Sequence, residues 1–222
     1  MPAISNPHGV PLDTKVRATL LARAKKQDAI LIEDDAYADT RFDGRPSRPL
    51  LAEAPERVFH VGTFSKTLAP GLRVGWLVAP PGFLKEVLEA KQTMDLQANS
   101  LAQTLLEFYL QGGAYPRHLA RLQRAYALRA QKLAAQLRRQ LPQLTFRTPR
   151  GGFSLWLESD LEVDESVLYE EALKRGVTFD RGSPFCSKPS PRLSLRLSYS
   201  AVPKVDMAEG VSRLSKALES VS

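Results

Sequence analysis

The stretch TFSKTLAPGLRVGW, residues 63–76, places Lys66 between two hydroxyl residues and follows it, seven positions later, with Arg73 behind a Pro-Gly turn. One short apolar run, VFHV at residues 58–61, precedes this stretch, and another, VGWLV at residues 74–78, overlaps its end. Runs of this length bounded by turn residues predict buried strands. Lys66 is therefore expected directly after a strand, at the end of a sheet where α/β proteins bind their ligands.

The residues before this stretch alternate between helical and strand patterns. Val16, Leu20, Leu21 and Ala24 recur at helical spacing, and the apolar run at residues 29–32 then predicts a buried strand. The first eighty residues are therefore predicted to form part of a wound α/β sheet.

Helical patterns dominate from Pro81 to about residue 141, with a break at Gly112-Gly113 and a long Arg-rich helix from Tyr115. The remainder alternates, which predicts a small α+β domain. We therefore predict that residues 1–112 are the C-terminal part of a larger domain and that residues 113–222 form the small one. Its predicted strands lie near residues 144–147, 153–157, 177–179 and 193–199, and its predicted helices near 165–174 and 204–218.

The composition is that of an average globular protein, with 43% hydrophobic and 25% charged residues. The net charge of +7 is spread along the chain, and 24 acidic residues are interleaved with the basic ones, which favours a solvated surface over a nucleic-acid-binding face. The single cysteine, Cys186, excludes an internal disulfide and a Cys-built zinc site, as expected for a reducing cytoplasm. No apolar run approaches the roughly 18 residues of a membrane-spanning helix.

Polar groups stand at the ends of the predicted strands. Residues 33–37 (EDDAY) follow one strand, residues 63–66 (TFSK) follow the next, and Asn6 precedes the first helix. Each alone has an ordinary explanation as a loop carboxylate, a surface lysine or a turn residue. Their order and spacing favour a common ligand site.

This motif order resembles that of fold-type I pyridoxal-phosphate aminotransferases. The narrower likeness is to the class I/II branch, which includes 2-aminoadipate and kynurenine aminotransferases and the aminotransferase-like part of MocR-type regulators. The resemblance spans the whole chain and implies a pyridoxal-phosphate-dependent transferase fold: a partial α/β/α large domain followed by a small α+β domain. The motifs are Asn-Pro-x-Gly at 6–9, Asp-x-x-Tyr at 34–37, Ser-Lys at 65–66, Pro-Gly-Leu-Arg-x-Gly at 70–75 and an arginine at 196.

The resemblance implies a role for each of these residues. Lys66 would form a Schiff base with pyridoxal 5'-phosphate and later move a proton between substrate and cofactor. Asp34 would pair with the ring nitrogen, and Asp35 is the alternative; the family's spacing of three to the tyrosine favours Asp34. The other cofactor contacts would come from Tyr37 and Asn6 at the phenolic oxygen and from Thr63, Ser65 and Arg73 at the phosphate.

Arg196 resembles the arginine that binds the substrate α-carboxylate through two parallel hydrogen bonds, with Asn6 also on the substrate side. The alternative is an ordinary strand arginine, because Arg192 lies four residues earlier on the same face. Residues 182–185 resemble a substrate-side loop, in which Arg181 replaces the usual proline. Three further residues are interpreted as structural because no residues with metal or triad spacing accompany them: Trp156, His118 and Cys186.

Family members carry a long segment before the Asn-Pro-x-Gly motif that has no counterpart here. The chain is therefore expected to be an N-terminally truncated aminotransferase, and an expression fragment, a mis-assigned start codon, a degenerate gene or one half of a split enzyme would each explain it. The remaining strands are expected to leave an apolar sheet edge exposed.

The resemblance implies transfer of an amino group from an L-2-amino acid to a 2-oxo acid, with 2-oxoglutarate as the expected acceptor, by a cytoplasmic homodimer. Neither a membrane nor a nucleic acid is an expected partner. Two alternatives stay open: the effector-binding domain of a MocR/GntR-type transcription regulator, and an inactive fragment that acts only by association. A winged helix-turn-helix upstream would indicate the regulator.

Overall fold

The computed structural model describes residues 3–188 and 192–221. The chain divides into two compact units. The first contains residues 3–5 and Pro11–Gln123, and the second contains Asn6–Val10 and residues 124–221. The predicted domain boundary lies between residues 112 and 113. The two compact units instead divide within the helix Ala114–Gln140, at Gln123, so the domain boundary stays a prediction.

The first unit begins with helix α1 (Thr14–Lys26), as the apolar spacing predicted. The carboxylate of Asp13 caps this helix by accepting the backbone N–H groups of Lys15 and Val16. Basic residues in its last turn are favourably placed at the negative end of the helix dipole. Local sequence signals therefore account for both ends of α1.

Three strands form the sheet of the first unit: β1 (Leu31–Asp34), β2 (Val58–Thr63) and β3 (Gly75–Val78). Their order is β1-β2-β3, with β1 parallel and β3 antiparallel to β2. These strands confirm the three strands that the apolar runs predicted.

The predicted burial of the residue 29–32 run is wrong for this chain, because Ile32 is 67% exposed. A sheet of this class is buried on both faces only where helices cover both. Trp76, Leu77 and Val78 are also partly exposed, so the described helices leave much of this sheet in contact with solvent. The expected exposed apolar edge is therefore present.

The core of the first unit is built from Leu50, Ala54 and Val58, which are all buried. Leu20 and Leu21 of α1 pack against this cluster. The helical spacing of the apolar residues in α1 thus places its inward face on the sheet. Leu50 begins a short 3₁₀ turn, Leu50–Ala52.

Three helices follow β3: α2 (Leu84–Asp95), α3 (Ser100–Gln111) and α4 (Ala114–Gln140). Asn99 caps α3 through the N–H of Ala102. Large apolar side chains on α2 and α3 face solvent, and we call them the α2–α3 apolar surface: Leu84, Leu88, Met94, Leu96, Leu101, Leu105 and Phe108. Within the described ranges, no helix is both long and apolar enough to cross a membrane.

The second unit contains a three-stranded antiparallel sheet and two further helices. The strand order is β4-β6-β5, so β6 lies at the centre. Its core consists mainly of leucines from the strands and from the helices beside them. The elements are β4 (Ser154–Ser159), α5 (Glu165–Lys174), β5 (Asp180–Arg181), β6 (Leu193–Ser198) and α6 (Met207–Glu219).

The predicted residue ranges of two strands in this unit are wrong. The strand at residues 144–147 is reduced to an isolated bridge between Thr145 and Glu158, in a segment interrupted by Pro149. The strand at residues 177–179 begins later, at β5. The N–H of Val177 is used elsewhere, since it donates to the carbonyl of Ala172 at the end of α5.

Candidate active site

The carboxyl ends of β1 and β2 bring the first group of predicted site residues to one edge of the sheet. The two strands are parallel, with Asp34 opposite Val61, and the N–H of Asp35 donates to the Val61 carbonyl at 2.8 Å. Lys66 follows the end of β2 by three residues. A lysine amine and two carboxylates therefore project from neighbouring strand ends.

The adjacent aspartates have opposite environments. Asp34 ends β1 with an exposed side chain, whose Oδ1 accepts the N–H of Ala36 at 3.3 Å. Asp35 is buried, and its Oδ1 accepts the N–H of Ala3 at 2.7 Å. Burial raises the pKa of the Asp35 carboxyl group above its ordinary value. Asp34 is the carboxylate that a ligand can reach.

Lys66 lies in a tight turn after β2, half-buried beside Tyr37. Its Nζ is 5.8 Å from the centroid of the Tyr37 ring. The turn is closed by the Leu68 N–H, which donates to the Phe64 carbonyl at 2.9 Å. The predicted catalytic lysine and the predicted tyrosine therefore lie close together.

The three residues predicted to bind phosphate lie at the two ends of the connection between β2 and β3. Thr63 Oγ1 donates to the Val74 carbonyl at 3.1 Å and accepts the N–H of Ser65 at 3.0 Å. Arg73 is exposed and has a left-handed backbone, with φ of 53°. Two hydroxyl residues therefore begin the connection that carries Lys66, and an exposed arginine lies near its end.

Two residues of α4 hold the segment that follows Lys66. His118 Nε2 donates to the Thr67 carbonyl at 2.7 Å. The Tyr115 hydroxyl lies 3.0 Å from Thr67 Oγ1 and 3.2 Å from Asp39 Oδ2. Burial is the main cause that raises the pKa of Tyr115 to about 12, so the phenol stays neutral at physiological pH. Sequence reasoning assigned no role to Tyr115 because its partners are distant in the chain.

A buried carboxylate, Glu33, joins the core to this edge of the sheet. Its Oε1 accepts the N–H of Leu50 at 2.7 Å, and its Oε2 accepts Nδ1–H of His60 at 3.0 Å. Glu33, Asp35 and His60 offer ligand atoms within 4.8 Å of one another. Since Glu33 and Asp35 already accept backbone N–H groups, we interpret the cluster as a hydrogen-bond network rather than a metal site.

The second group of predicted site residues lies in the second unit. Arg196 of β6 donates from Nη1 to Asn6 Oδ1 at 2.9 Å and from Nε to Asp180 Oδ2 at 2.9 Å. Its guanidinium carbon lies 4.6 Å from the centroid of the Phe185 ring. Trp156 is opposite Arg196 in the β4–β6 pair. Arg196 therefore stands among aromatic and polar side chains.

The Asn-Pro-x-Gly motif that carries Asn6 requires its glycine. Gly9 has φ of +67°, and a Cβ there would lie 2.8 Å from Pro149 Cβ. Its carbonyl accepts the N–H of Arg150 at 2.7 Å. A side chain at this position would therefore displace the segment that presents Asn6 to Arg196.

The alternative arginine, Arg192, has different surroundings. Its Nε donates to Asp160 Oδ1 at 2.6 Å in an exposed ion pair. Arg181, which replaces the usual proline, donates to Ser166 Oγ at 3.1 Å on α5. Among the contacts of the described residues, only Arg196 of these three arginines donates a hydrogen bond to Asn6.

Comparison with known proteins identifies the family. A model for "Aminotransferase class I and II" matches residues 2–214. The chain belongs to this family. Within it, the aromatic-amino-acid aminotransferase 1 of Thermococcus litoralis is 33% identical over 99% of this chain and 53% of that protein.

The chain is similar to both enzymes and regulators. A crystal structure of the α-aminoadipate aminotransferase LysN from Thermus thermophilus, complexed with N-(5'-phosphopyridoxyl)-L-leucine, matches with a TM-score of 0.92 and 33% identity over 99% of this chain and 58% of that chain. The HTH-type transcriptional regulator YisV of Bacillus subtilis is 32% identical over 95% of this chain and 44% of that protein. The chain thus spans about half the length of these relatives, and the expected fold is confirmed.

Proposed function

We propose that this chain is the part of a pyridoxal-phosphate-dependent aminotransferase that carries the catalytic lysine. The transferred amino group would pass from an L-2-amino acid to a 2-oxo acid. The observation that carries the proposal is the placement of Lys66 and Asp34 at neighbouring strand ends, with Tyr37 beside the lysine.

The residues present fit pyridoxal phosphate. Its aldehyde requires an amine, which Lys66 supplies, and its ring nitrogen requires a carboxylate, which Asp34 supplies. Its phosphate requires cationic and N–H or O–H donors, which Arg73, Ser65 and Thr63 supply at the ends of the β2–β3 connection. The exposure of Asp34 and the burial of Asp35 support Asp34 as the ring partner.

When bound, the cofactor supplies an electron-withdrawing ring that stabilises negative charge on the substrate α-carbon. Asp34 would keep the ring nitrogen protonated by charge pairing. The Lys66 amine would serve as the general base that takes the proton from the substrate α-carbon and as the general acid that delivers it to the aldehyde carbon of the cofactor. Tyr37 and Asn6 are the residues that would donate hydrogen bonds to the phenolic oxygen of the cofactor.

Arg196 and Asn6 are proposed to bind the substrate α-carboxylate. The Arg196 guanidinium can donate two parallel hydrogen bonds to a carboxylate, and its stacking on Phe185 limits its rotation. Aromatic, branched-chain and aminoadipate-like amino acids are all compatible substrates, and 2-oxoglutarate is the proposed acceptor.

The active protein is proposed to be a cytoplasmic homodimer. The α2–α3 apolar surface supports association, because large apolar side chains exposed to solvent favour burial against a protein partner. Sedimentation velocity should show a dimer. Charged substitutions at Leu105 and Phe108 should give monomers if this surface carries the contact.

A second candidate, the effector domain of a transcription regulator, is favoured by the similarity to YisV. The same cofactor site would then bind a ligand without turnover. The reading frame upstream of Met1 separates the candidates, since a DNA-binding domain there would indicate the regulator and stop codons an inactive fragment.

The cofactor site is tested by incubating the chain with pyridoxal phosphate, reducing with borohydride and mapping the labelled peptide. The label should lie on Lys66, and K66A should lose it. K91A is the matched control, because Lys91 is an exposed helical lysine paired with Asp95. A label on another lysine in the unaltered chain would refute the assignment.

A further inference from the structure

Arg196, the proposed carboxylate-binding residue, already holds a carboxylate of its own chain. Asp180 Oδ2 accepts from Arg196 Nε at 2.9 Å, and the two residues are opposite each other in the β5–β6 pair. A carboxylate at this point is a competitor for any ligand carboxylate. The inference below rests on the proposed role of Arg196.

The geometry of the guanidinium makes this competition specific. A guanidinium binds a carboxylate through two parallel N–H donors, either Nε with Nη2 or Nη1 with Nη2. Asp180 uses Nε, and Asn6 uses Nη1 at 2.9 Å. The Nε–Nη2 edge is therefore available to a ligand only when Asp180 moves.

The charge of Asp180 acts on the other edge as well. A ligand carboxylate at Nη1 and Nη2 would lie within a few ångströms of the Asp180 carboxylate, and like charges at that distance repel. Within the described part of the chain, Asp180 is the carboxylate that forms an ion pair with Arg196. The positive charge offered to a ligand is thus partly neutralised.

The contact can open without disturbing the site. The side chains of Arg196 and Asp180 are 24% and 50% exposed, so solvent screens the pair. Phe185 stacks on the guanidinium and itself contacts Trp156, with ring centroids 5.6 Å apart. Arg196 is therefore held in place by aromatic packing while Asp180 remains free to rotate into solvent.

We propose that Asp180 is a specificity-determining residue. It occupies Arg196 and weakens the binding of small carboxylate ligands, so that a ligand anchored only by its carboxylate is disfavoured. Ligands with a second binding group, such as a side chain or a link to the cofactor, overcome the competition.

The test is a titration of the ¹⁵N-labelled 222-residue chain with 2-oxoglutarate, followed through the side-chain Nε–H signals of arginine. Two variants remove the charge of Asp180: D180N keeps a hydrogen-bond acceptor, and D180A does not. R196K removes the guanidinium. D160N is the matched control, because Asp160 forms an exposed ion pair with Arg192, the residue directly before β6.

Both Asp180 variants should bind 2-oxoglutarate roughly twofold to fivefold more tightly than the unaltered chain, the range expected when a partly exposed ion pair is removed. D160N should bind like the unaltered chain, and R196K should bind more weakly. The dimethyl ester of 2-oxoglutarate should bind all variants equally. Circular dichroism spectra identify any variant that is unfolded. If D180A is unfolded, the test rests on D180N, which has nearly the same shape as aspartate.

The outcomes separate this inference from the proposed function. If R196K loses binding while both Asp180 variants bind as weakly as the unaltered chain, Arg196 is the carboxylate site and the role of Asp180 is refuted. Weaker binding by D180N would show that Asp180 positions Arg196 instead, which also refutes the inference. If R196K binds normally, or no variant binds, the proposed carboxylate site fails and the inference fails with it.

Discussion

His118 donates a hydrogen bond of 2.7 Å to the carbonyl oxygen of Thr67, the residue after the proposed catalytic lysine. This contact ties helix α4 to the turn that presents the Lys66 amine. The residues are 51 positions apart, and the sequence alone indicated a structural role for His118 without a partner. We infer that His118 positions Lys66, and the first prediction tests this inference.

The first prediction is that H118A weakens pyridoxal-phosphate binding about fivefold, since a lost hydrogen bond is worth about 1 kcal/mol. H118Q should restore much of the affinity, because the glutamine amide can also donate to the carbonyl. The dissociation constant is measured by absorbance titration. Equal affinities for H118A and the unaltered chain would show that α4 does not position Lys66.

The second prediction distinguishes Asp34 from Asp35. D34N should weaken cofactor binding by roughly tenfold to a hundredfold and change the pH dependence of the bound cofactor's absorbance, because hydrogen bonds to charged groups contribute about 1.5–3 kcal/mol. D35N should leave the absorbance profile unchanged. The reverse result would show that Asp35 is the ring partner.

The third prediction concerns pH and stability. Burial raises the pKa of Asp35 in the folded state, so the protonated carboxyl is favoured by folding. The stability from this group is fully present below the ordinary pKa of about 3.9 and is lost as pH rises through the raised folded-state value.

D35N should remove this contribution. The difference in free energy of unfolding, D35N minus the unaltered chain, should therefore increase with pH above about 4 and level off above the raised pKa. Urea denaturation at several pH values measures it. A difference that does not vary with pH would show that the Asp35 pKa is the same in both states.

The fourth prediction is that E33A destabilises the first unit by about 1–3 kcal/mol, because it leaves the N–H of Leu50 and the ring of His60 without their buried acceptor. E56A is the control, since Glu56 forms an exposed surface ion pair with Arg57 and its loss should leave the stability nearly unchanged. Urea midpoints measure both. Equal effects would contradict the structural role of Glu33.

The fifth prediction is that this chain alone transaminates far more slowly than an intact family member. It spans about half of its relatives, and positioning of reactants can contribute roughly 7–11 kcal/mol to catalysis. The assay uses aromatic, branched and acidic amino acids with 2-oxoglutarate, with and without a separately expressed N-terminal half of a relative. Activity near that of an intact relative without the added half would contradict the prediction.

The sequence by itself determined the local elements and the family. Helical spacing in α1 and the bounded apolar runs of β1, β2 and β3 depend on neighbouring residues, so they are readable along the chain. The Ser-Lys and Asp-x-x-Tyr motifs at residues 65–66 and 34–37 lie within short segments, and their order was enough to indicate the aminotransferase family, which the family match confirms.

Only the tertiary structure decided which of these groups meet and which are exposed. Asp34 and Asp35 are neighbours of the same type, yet packing against Ala3 buries one and leaves the other at the open end of β1. The strand at residues 177–179 was mispredicted because its first N–H bonds back to α5.

The contacts of Arg196 show the physical reason most directly. Its hydrogen bond to Asn6 joins residues 190 positions apart, and its ion pair with Asp180 depends on the register of two antiparallel strands. Local patterns specify a strand arginine, but strand register and long-range packing determine whether that arginine meets a carboxylate of its own chain.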